Sequence, residues 1–512
     1  MKKGFYITTT IPYVNADPHV GFALEITQAD VLARYHRLRD EDVFFNTGTD
    51  EHGLKIYRKA IEEGKDPQKY VDEYAAKFDR LKEALNLTYN SFIRTTDKHH
   101  LEAAKEFWQS CQKNGDIYKT KQKIKYCVGC ELEKTDSELI NNKCPVHPSK
   151  DIEIFEEENY FFRFSNYQKP LLDFYRDNPD FVIPNIKFNE IKNFVSQGLK
   201  DFSISRLKSK MPWGVEIPDD PDQVMYVWFD ALVNYISALG WPDDQKNFKK
   251  WWPGIQVAGK DNLRQQTAMW QAMLMSAGLP NSRQVFIHGF ITADGQKMSK
   301  SLGNVINPFD LVKKYGTDAV RYYLLREIPP YQDGDFSHFR FEQLYNADLA
   351  NGLGNTLARV LALVEKNCGH QVPQIDQDPD SHPLRINQKI HNWKKSWHDI
   401  DKLLPEYRFN EALESIWKFI NEADKYINEN KPWELIKKDK KEFNWVIYGL
   451  LDSLHQVAWQ IYPFLPETSL EIADRLGINK LLARNPLNKD SWTNLKPGTK
   501  IQFGKPLFPR II

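Results

Sequence analysis

The chain has 512 residues, 41% of them hydrophobic and 13% aromatic, enough to bury several cores in about three or four domains. Lys plus Arg equals Asp plus Glu at 69 each, which excludes a uniform basic coat but not a nucleic-acid partner, because charge can be segregated by face. The chain contains no apolar run of the about eighteen residues that a membrane helix needs, and its apolar start is too short for a signal peptide, so a cytoplasmic protein with no membrane partner is expected.

Residues 5 to 11, β-branched and aromatic, predict a strand that Pro12, Asn15, Asp17 and Pro18 break. From Val20 to Arg39 the spacing is helical, with Leu24, Val31, Leu32, Tyr35 and Leu38 on one broad face. Asp42 to Thr47 predicts a second strand. Strand, loop, helix and strand in that order open an α/β fold with a parallel, Rossmann-like sheet. His19-Val20-Gly21-Phe22 sits at the strand-to-helix turn. There the helix start offers unpaired N–H groups to a phosphate, His19 adds a donor, and Gly21 lets a nucleotide come close.

From 115 the βα rhythm gives way to cysteines, turn residues and short aromatic runs such as Asn159 to Phe164, which we read as an inserted domain. Cys127 and Cys130 form a CxxC, and Cys144 and His147 follow. Three thiolates and an imidazole at this spacing predict one structural zinc in a tetrahedral knuckle over 127–147, with no ligand position left open for catalysis. Cys111 and Cys368 stand apart and are expected to be buried apolar residues.

Sheet strands are predicted again at Val224–Phe229, Ile255–Ala258 and Gln284–Ile287. Lys297-Met298-Ser299-Lys300-Ser301, between Gly295 and Gly303, places two lysines in a loop suited to a departing pyrophosphate. There is no GxxxxGK[ST] run, so a P-loop enzyme is excluded. Beyond Phe336 the chain turns helical, over about 340–366, 384–400, 406–429 and 443–461, with breaks at 371–383 and at Lys431-Pro432, as in a helical bundle. Residues 485–512 are expected to return as a strand or extended tail.

These stretches carry a resemblance. His19 to Phe22 resembles the first signature of class I aminoacyl-tRNA synthetases, and Lys297 to Ser301 matches the second in full. Thr47 to Gly53, Asp201 to Arg206 with Trp213, Tyr226 to Tyr235 and Gly259-Lys260-Asp261 narrow the likeness to the methionyl-tRNA synthetases, over residues 4 to at least 460. The resemblance implies that His19, Lys297 and Lys300 hold the ATP phosphates and stabilise the transition state. Gly21, Phe22, Met298 and Ser299 complete the nucleotide site, and Lys260 and Asp261 support it, with Asp261 near the ribose.

A methionine pocket needs apolar walls and an acidic anchor for the ammonium. Ile11, Tyr13, Trp228, Ala231 and Tyr235 supply walls and Asp50 the anchor, at positions that line the family's methionine site. Two residues depart from the family pattern: Phe22 and Gln266, each where the family normally has His. Phe22 removes a donor near the nucleotide; Gln266 keeps a donor and an acceptor, for the substrate sulfur or a neighbouring Tyr.

Asn355 and Arg359 share a helix face, and Trp433 follows Pro432 at a helix start. By the resemblance these three read the CAU anticodon. The expected cofactors are one zinc and the magnesium that accompanies ATP. The expected partners are methionine, ATP and tRNA(Met), initiator and elongator alike. A monomer is expected, since many family dimers use a further C-terminal domain.

The predicted division is a catalytic first half at 1–114, the inserted domain at 115–223, a catalytic second half at 224–285, the lysine loop with a stem-contact region at 286–345, and a helical anticodon-binding domain with its tail at 346–512. Two rivals stay open on these residues: a synthetase for another amino acid, and a catalytically silent tRNA-binding paralogue, which Phe22 and Gln266 would favour.

Overall fold

Phe5–Thr9 is a five-residue run of β-branched and aromatic residues, buried throughout, and it lies in the middle of a six-stranded sheet. The computed structural model describes residues 4–129, 132–134, 138–145, 147–298, 303–375, 392–478 and 495–511. Two compact units divide the chain: Met1–Pro18, Val43–Lys82 and Tyr89–His288 make the first, and His19–Asp42, Glu83–Thr88 and Gly289–Ile512 the second.

In the first unit the sheet runs Ser91–Arg94, Val43–Thr49, Phe5–Thr9, Ile255–Gly259, Gln284–His288, Val182–Ile183, and every pairing is parallel. Phe5–Thr9 pairs with Val43–Thr49 on one side and with Ile255–Gly259 on the other, so strand order reverses at the first strand. Two edge strands are too short to show a period in the sequence. One of them, Val182–Ile183, lies inside the stretch read as the insert.

The expected sheet strand Val224–Phe229 is not part of this sheet. Asp220–Met225 pairs antiparallel with Ser205–Leu207 and Glu216–Ile217, and Val227–Ala231 is a helix. A six-residue apolar run is compatible with either state, and extended Tyr226 marks the change. The insert is built on Ile117–Cys127 against Glu153–Phe162, antiparallel, with Leu132–Glu133 and Phe202–Ser203 outside them. Two of its lysines meet acids, Lys119 with Asp220 at 2.8 Å and Lys121 with Glu156 at 3.8 Å.

The second unit is mostly helical. Helices Thr317–Arg326, Phe409–Asn430, Lys440–Ile461 and Pro466–Arg475 pack together, with Asn355–Asn367 and Asn392–Leu403 against them. The continuous helix expected over 340–366 is divided: His338–Leu344 is α-helical, Tyr345–Gly354 is π-helical, and Asn355–Asn367 is α-helical again. Part of the predicted 384–400 helix lies outside the described residues, as does the tail before Leu495. From there the tail is extended, with Lys500 bridged to Gln371.

Helix Val20–Leu38 also belongs to this unit. The single apolar face predicted for it is a partial reading, because the helix is buried nearly all round, Glu25, Thr27, Gln28, Asp30 and Arg34 included. Asp30 accepts from Arg34 Nε at 2.8 Å and from the Thr88 N–H and hydroxyl at 2.7 and 2.6 Å, and it faces Arg321 Nη1 at 2.9 Å. Arg321, fully buried, also donates to the carbonyls of Leu85, Pro463 and Phe464. Burial alone would raise the Asp30 carboxyl, but the two guanidinium groups and Thr88 hold it below the ordinary value.

Removing one member of such a cluster leaves the others charged and unmatched. Asp30→Ala is expected to cost about 3–5 kcal/mol, read as an earlier urea transition. Adding Arg321→Met to it should recover part of the loss.

Candidate active site and metal centre

Ligands in an open parallel sheet bind beyond the carboxyl ends of the strands, where the strand order reverses. In this chain that edge carries Thr10 to Tyr13, Asp50 and Lys260-Asp261, with His288 closing the last long strand. Tyr13 and Asp50 are joined through the backbone: Asp50 N–H donates to Pro12 O at 3.0 Å and Val14 N–H to Asp50 O at 3.3 Å. Ile11 and Tyr13 are half-buried and Asp50 is buried. The Tyr13 ring meets the half-buried Trp228 edge to face at 6.2 Å, and the Lys55 ammonium lies 5.4 Å from its centre. Ala231 and Tyr235 follow Trp228 in the same helical stretch, both buried.

Several residues that position this pocket went unassigned in the sequence. Glu51, wholly buried, accepts from Thr49, from two nitrogens of Arg94 and from Thr96, which locks the turn that carries Asp50. His52 Nδ1 lies 2.9 Å from Asp230 Oδ2, tying that turn to the helix of Trp228. Burial pushes the Asp230 carboxyl up, against the pull of His52. Arg206 stacks over Tyr126 and Tyr226 at 5.3 and 4.8 Å, and so joins the insert to the start of the Trp228 helix. The available signal was an acid, Asp230, inside an apolar run.

Gln266 is buried. Its Nε2 donates to Tyr235 Oη at 2.6 Å, and its Oε1 accepts from Gln256 Nε2 at 3.0 Å. The expected contact with a neighbouring Tyr is thus made by Gln266. Lys260 and Asp261 form a short 3₁₀ turn directly after Gly259. Gly259 pairs with His288, and a Cβ on Gly259 would come within 2.9 Å of Asp261 Oδ1.

In the second unit His19 caps helix Val20–Leu38. Its Nδ1 accepts from Gly21 N–H at 3.0 Å, so the neutral ring carries its proton on Nε2, as a donor. A Cβ on Gly21 would lie 2.8 Å from the His19 ring and 3.9 Å from Met298 Cε, so glycine is what lets the ring fold back, and the start of the lysine loop lies at the same turn. Phe22 is buried, filling volume rather than facing outward. An Asp294-Gly295 turn, both residues at positive φ, closes the hairpin of Ile291–Ala293 with Gln296–Lys297. The hairpin fixes the backbone of Lys297, while Ser299, Lys300 and Ser301 lie outside the described residues.

In the insert, Cys127, Cys144 and His147 bring their ligand atoms within 4.8 Å of one another, with Cys127 Sγ 4.0 Å from His147 Nδ1. Zinc–sulfur and zinc–nitrogen bonds of about 2.3 and 2.0–2.1 Å give tetrahedral edges of roughly 3.5–3.8 Å, so the three fit one such ion. A Cβ on Gly129 would strike the His147 ring at 2.5 Å, so the knuckle needs glycine there. Cys130, the fourth predicted ligand, lies outside the described residues.

Asn355, exposed, and Arg359, partly buried, start helix Asn355–Asn367. Arg359 is ion-paired with Asp424 and donates to Asn428 Oδ1 at 2.7 Å. Lys431, left-handed at φ 42°, ends helix Phe409–Asn430, and Pro432 opens the next helix with Trp433 at its start, 45% exposed.

A family model described as tRNA synthetases class I (M) matches residues 5–151 and 130–361, and one described as the anticodon-binding domain of tRNA ligase matches 390–503. The methionine–tRNA ligase of Thermotoga maritima is 44% identical over 99% of this chain and 80% of its own, and that of Synechocystis sp. is 42% identical over 99% and 97%. The solved Mycobacterium tuberculosis methionyl-tRNA synthetase in complex with methionyl-adenylate superposes with a TM-score of 0.93 at 38% identity, over the whole of both chains. The chain belongs to the methionyl-tRNA synthetases of class I.

Proposed function

We infer that the chain is a methionine–tRNA ligase: it activates L-methionine with ATP and transfers the methionyl group to the 3′-terminal adenosine of tRNA(Met). The observation that carries the reading is the Asp50–Tyr13 backbone link facing Trp228 at the carboxyl edge of the parallel sheet. It offers an ammonium anchor and two aromatic walls, as an unbranched apolar amino acid requires.

In the first step a methionine carboxylate oxygen attacks the α-phosphorus of ATP. The bond from that phosphorus to the bridging oxygen breaks, and pyrophosphate leaves. Asp50 holds the ammonium, while Ile11, Tyr13, Trp228, Ala231 and Tyr235 enclose the side chain. His19 Nε2–H, Lys297 and Lys300 meet the growing phosphate charge, with Gly21 and Phe22 shaping the turn and Met298 and Ser299 leading into the loop. Lys260 and Asp261 serve the nucleoside. Magnesium, bound with ATP, would offset further phosphate charge. In the second step the 2′-hydroxyl of the terminal adenosine attacks the methionyl carbonyl, AMP leaves, and the hydroxyl proton departs with it. The adenylate is already a good leaving group, so positioning carries most of this step.

Methionine-dependent ATP–pyrophosphate exchange tests the activity and separates it from both rivals. Lys297→Ala is expected to lower exchange by the equivalent of about 2.7–4 kcal/mol, with methionine binding retained, as measured by equilibrium dialysis. Gly21→Ala should act on the same step by displacing His19.

Zinc is the ion proposed for Cys127, Cys130, Cys144 and His147, with a structural role, because two buried thiols and an imidazole suit it. Elemental analysis of metal-replete protein should find one zinc per chain, and Cys144→Ser should lose it.

Asn355, Arg359 and Trp433 are proposed to read the anticodon, Trp433 by stacking. Exposure of the Trp433 ring supports this reading. Stacking contributes about 1–3 kcal/mol per base, so Trp433→Ala should lower charging of tRNA(Met), initiator and elongator alike, by roughly 5- to 150-fold. Exchange without tRNA should stay near the native rate; an equal loss in both assays would make Trp433 a folding residue. No helix among the described residues is long and apolar enough to cross a membrane. A cytoplasmic monomer is the accompanying proposal, and light scattering checks the monomer.

A further inference from the structure

We propose that Asp335 is a positioning residue for adenylate formation: its carboxylate pins the hairpin that carries Lys297, so that the lysine loop departs from a fixed backbone. The proposal rests on the reading of Lys297 as a phosphate ligand.

Secondary structure alone holds Lys297 weakly. Gln296–Lys297 is an edge strand of two residues, in a three-stranded sheet with Ile291–Ala293 in the middle and Gly334–Phe336 on the far side. Two pairs hold it, Ala293 with Gln296 and Thr292 with Lys297. A ribbon so short is marginal without further support. The middle strand has that support. Ile291, Ala293 and Phe336 are buried, and Phe336 O accepts from Asp294 N–H at 3.1 Å. Thr292 and its cross-strand neighbour Asp335 alternate to the other face, Thr292 half-buried and Asp335 exposed.

On that outer face a single oxygen joins the turn to the strand. Asp335 Oδ1 accepts from Thr292 Oγ1–H at 2.6 Å and from Gly295 N–H at 2.7 Å. Gly334 O, at 3.2 Å, is the farther acceptor for the same hydroxyl. Gly295 is the second residue of the Asp294-Gly295 turn, where a two-residue hairpin offers its N–H no partner of its own. The carboxylate supplies one. The opposite end of the middle strand is tied in the same way, since Asp333 Oδ1 accepts from Phe290 N–H at 2.9 Å. Asp335 is itself held by Tyr323, whose hydroxyl donates to Asp335 O and accepts from Ser337 N–H, both at 3.3 Å.

Electrostatics separates position from charge at this residue. Neighbouring strands lie about 4.8 Å apart, which puts the main chain of Asp335 roughly 10 Å from that of Lys297. A carboxylate at that range slightly opposes the phosphate charge that Lys297 is proposed to meet, so any benefit it brings comes through its hydrogen bonds. Asparagine keeps an accepting Oδ1 in the same place without the charge, and alanine keeps neither.

The experiment measures methionine-dependent ATP–pyrophosphate exchange by Asp335→Ala, Asp335→Asn, Thr292→Val and Lys297→Ala, and by Asp335→Ala combined with Lys297→Ala. Asp335→Ala should lower kcat about ten-fold, because a small misplacement of a reacting group is costly, with the methionine KM within about two-fold of wild type. Asp335→Asn should recover all but about two-fold of that loss, and Thr292→Val, which removes one of the two bonds, should lower kcat about three-fold. A residue that acts through Lys297 has little left to act on once that side chain is gone, so the double variant should fall less than about two-fold below Lys297→Ala. A wild-type rate in Asp335→Ala, equal losses in the alanine and asparagine variants, or a second loss of full size in the Lys297→Ala background would each overturn the proposal. Should Asp335→Ala not fold, Thr292→Val alone and combined with Lys297→Ala applies the same criteria of rate and additivity. Native exchange by Lys297→Ala would instead remove the reading of the lysine loop beneath it.

Discussion

Parallel strands joined by crossovers all end on one edge, and the chemistry of this chain depends on that constraint. Residues 11–13, 50 and 260–261 are separated by long stretches of sequence, yet each directly follows a strand of one sheet. The sheet reverses order at Phe5–Thr9, which opens a crevice between the loops that leave to either side. The backbone link between Tyr13 and Asp50 extends the pairing of Phe5–Thr9 with Val43–Thr49 beyond the strands themselves. The main chain of the proposed anchor and wall is therefore held by hydrogen bonds before substrate binds. Glu51 and the His52–Asp230 pair carry the same rigidity outward, one into Arg94 and the other into the helix of Trp228.

The second unit solves a different problem. A helix whose first turn is proposed to face phosphates must not move along its axis. Helix Val20–Leu38 is fixed along its length: at the start by Val20 N–H to Ile306 O, at Asp30 by two guanidinium groups, and at its end by Tyr35 and Arg39 on Asp401. Buried ion pairs add little net stability over apolar packing, but their donors and acceptors fit in one register only. Asp30 with Arg34, Arg321 and Thr88 thus specifies where the helix sits more than how strongly it is held. The Arg321 bonds to Pro463 and Phe464 extend the same register into the helical bundle.

Much of this was legible in the sequence, for physical reasons that differ by element. Phe5–Thr9, Ile255–Gly259 and Gln284–His288 are short, apolar and bounded by turn residues, so a buried strand is their plain reading. Val224–Phe229 has the same look and is half strand, half helix, because an apolar run reports burial rather than backbone state. The knuckle was legible because ligand spacing is a local property, and the cap at His19 only in part: its position could be read, but the hydrogen bond from Gly21 to Nδ1 could not. Asp30, Arg321, His52 and Asp230 were opaque, since the partner that makes each acceptable in a core lies more than 150 residues away or, for Asp30, is shared among three segments.

At the two positions where the resemblance implies a histidine, the chain packs two different side chains. Phe22 is buried in the first turn, so apolar packing occupies that position, and the side-chain donor at the turn is His19 Nε2–H. Gln266 is polar where its neighbours are polar: it donates to Tyr235 and accepts from Gln256 at one buried point, and an apolar residue would lose both hydrogen bonds. A substitution on the packed side of a site can thus be apolar, while one inside a buried hydrogen-bond chain is restricted to side chains that both donate and accept. Glutamine satisfies that restriction, donating through Nε2 and accepting through Oε1.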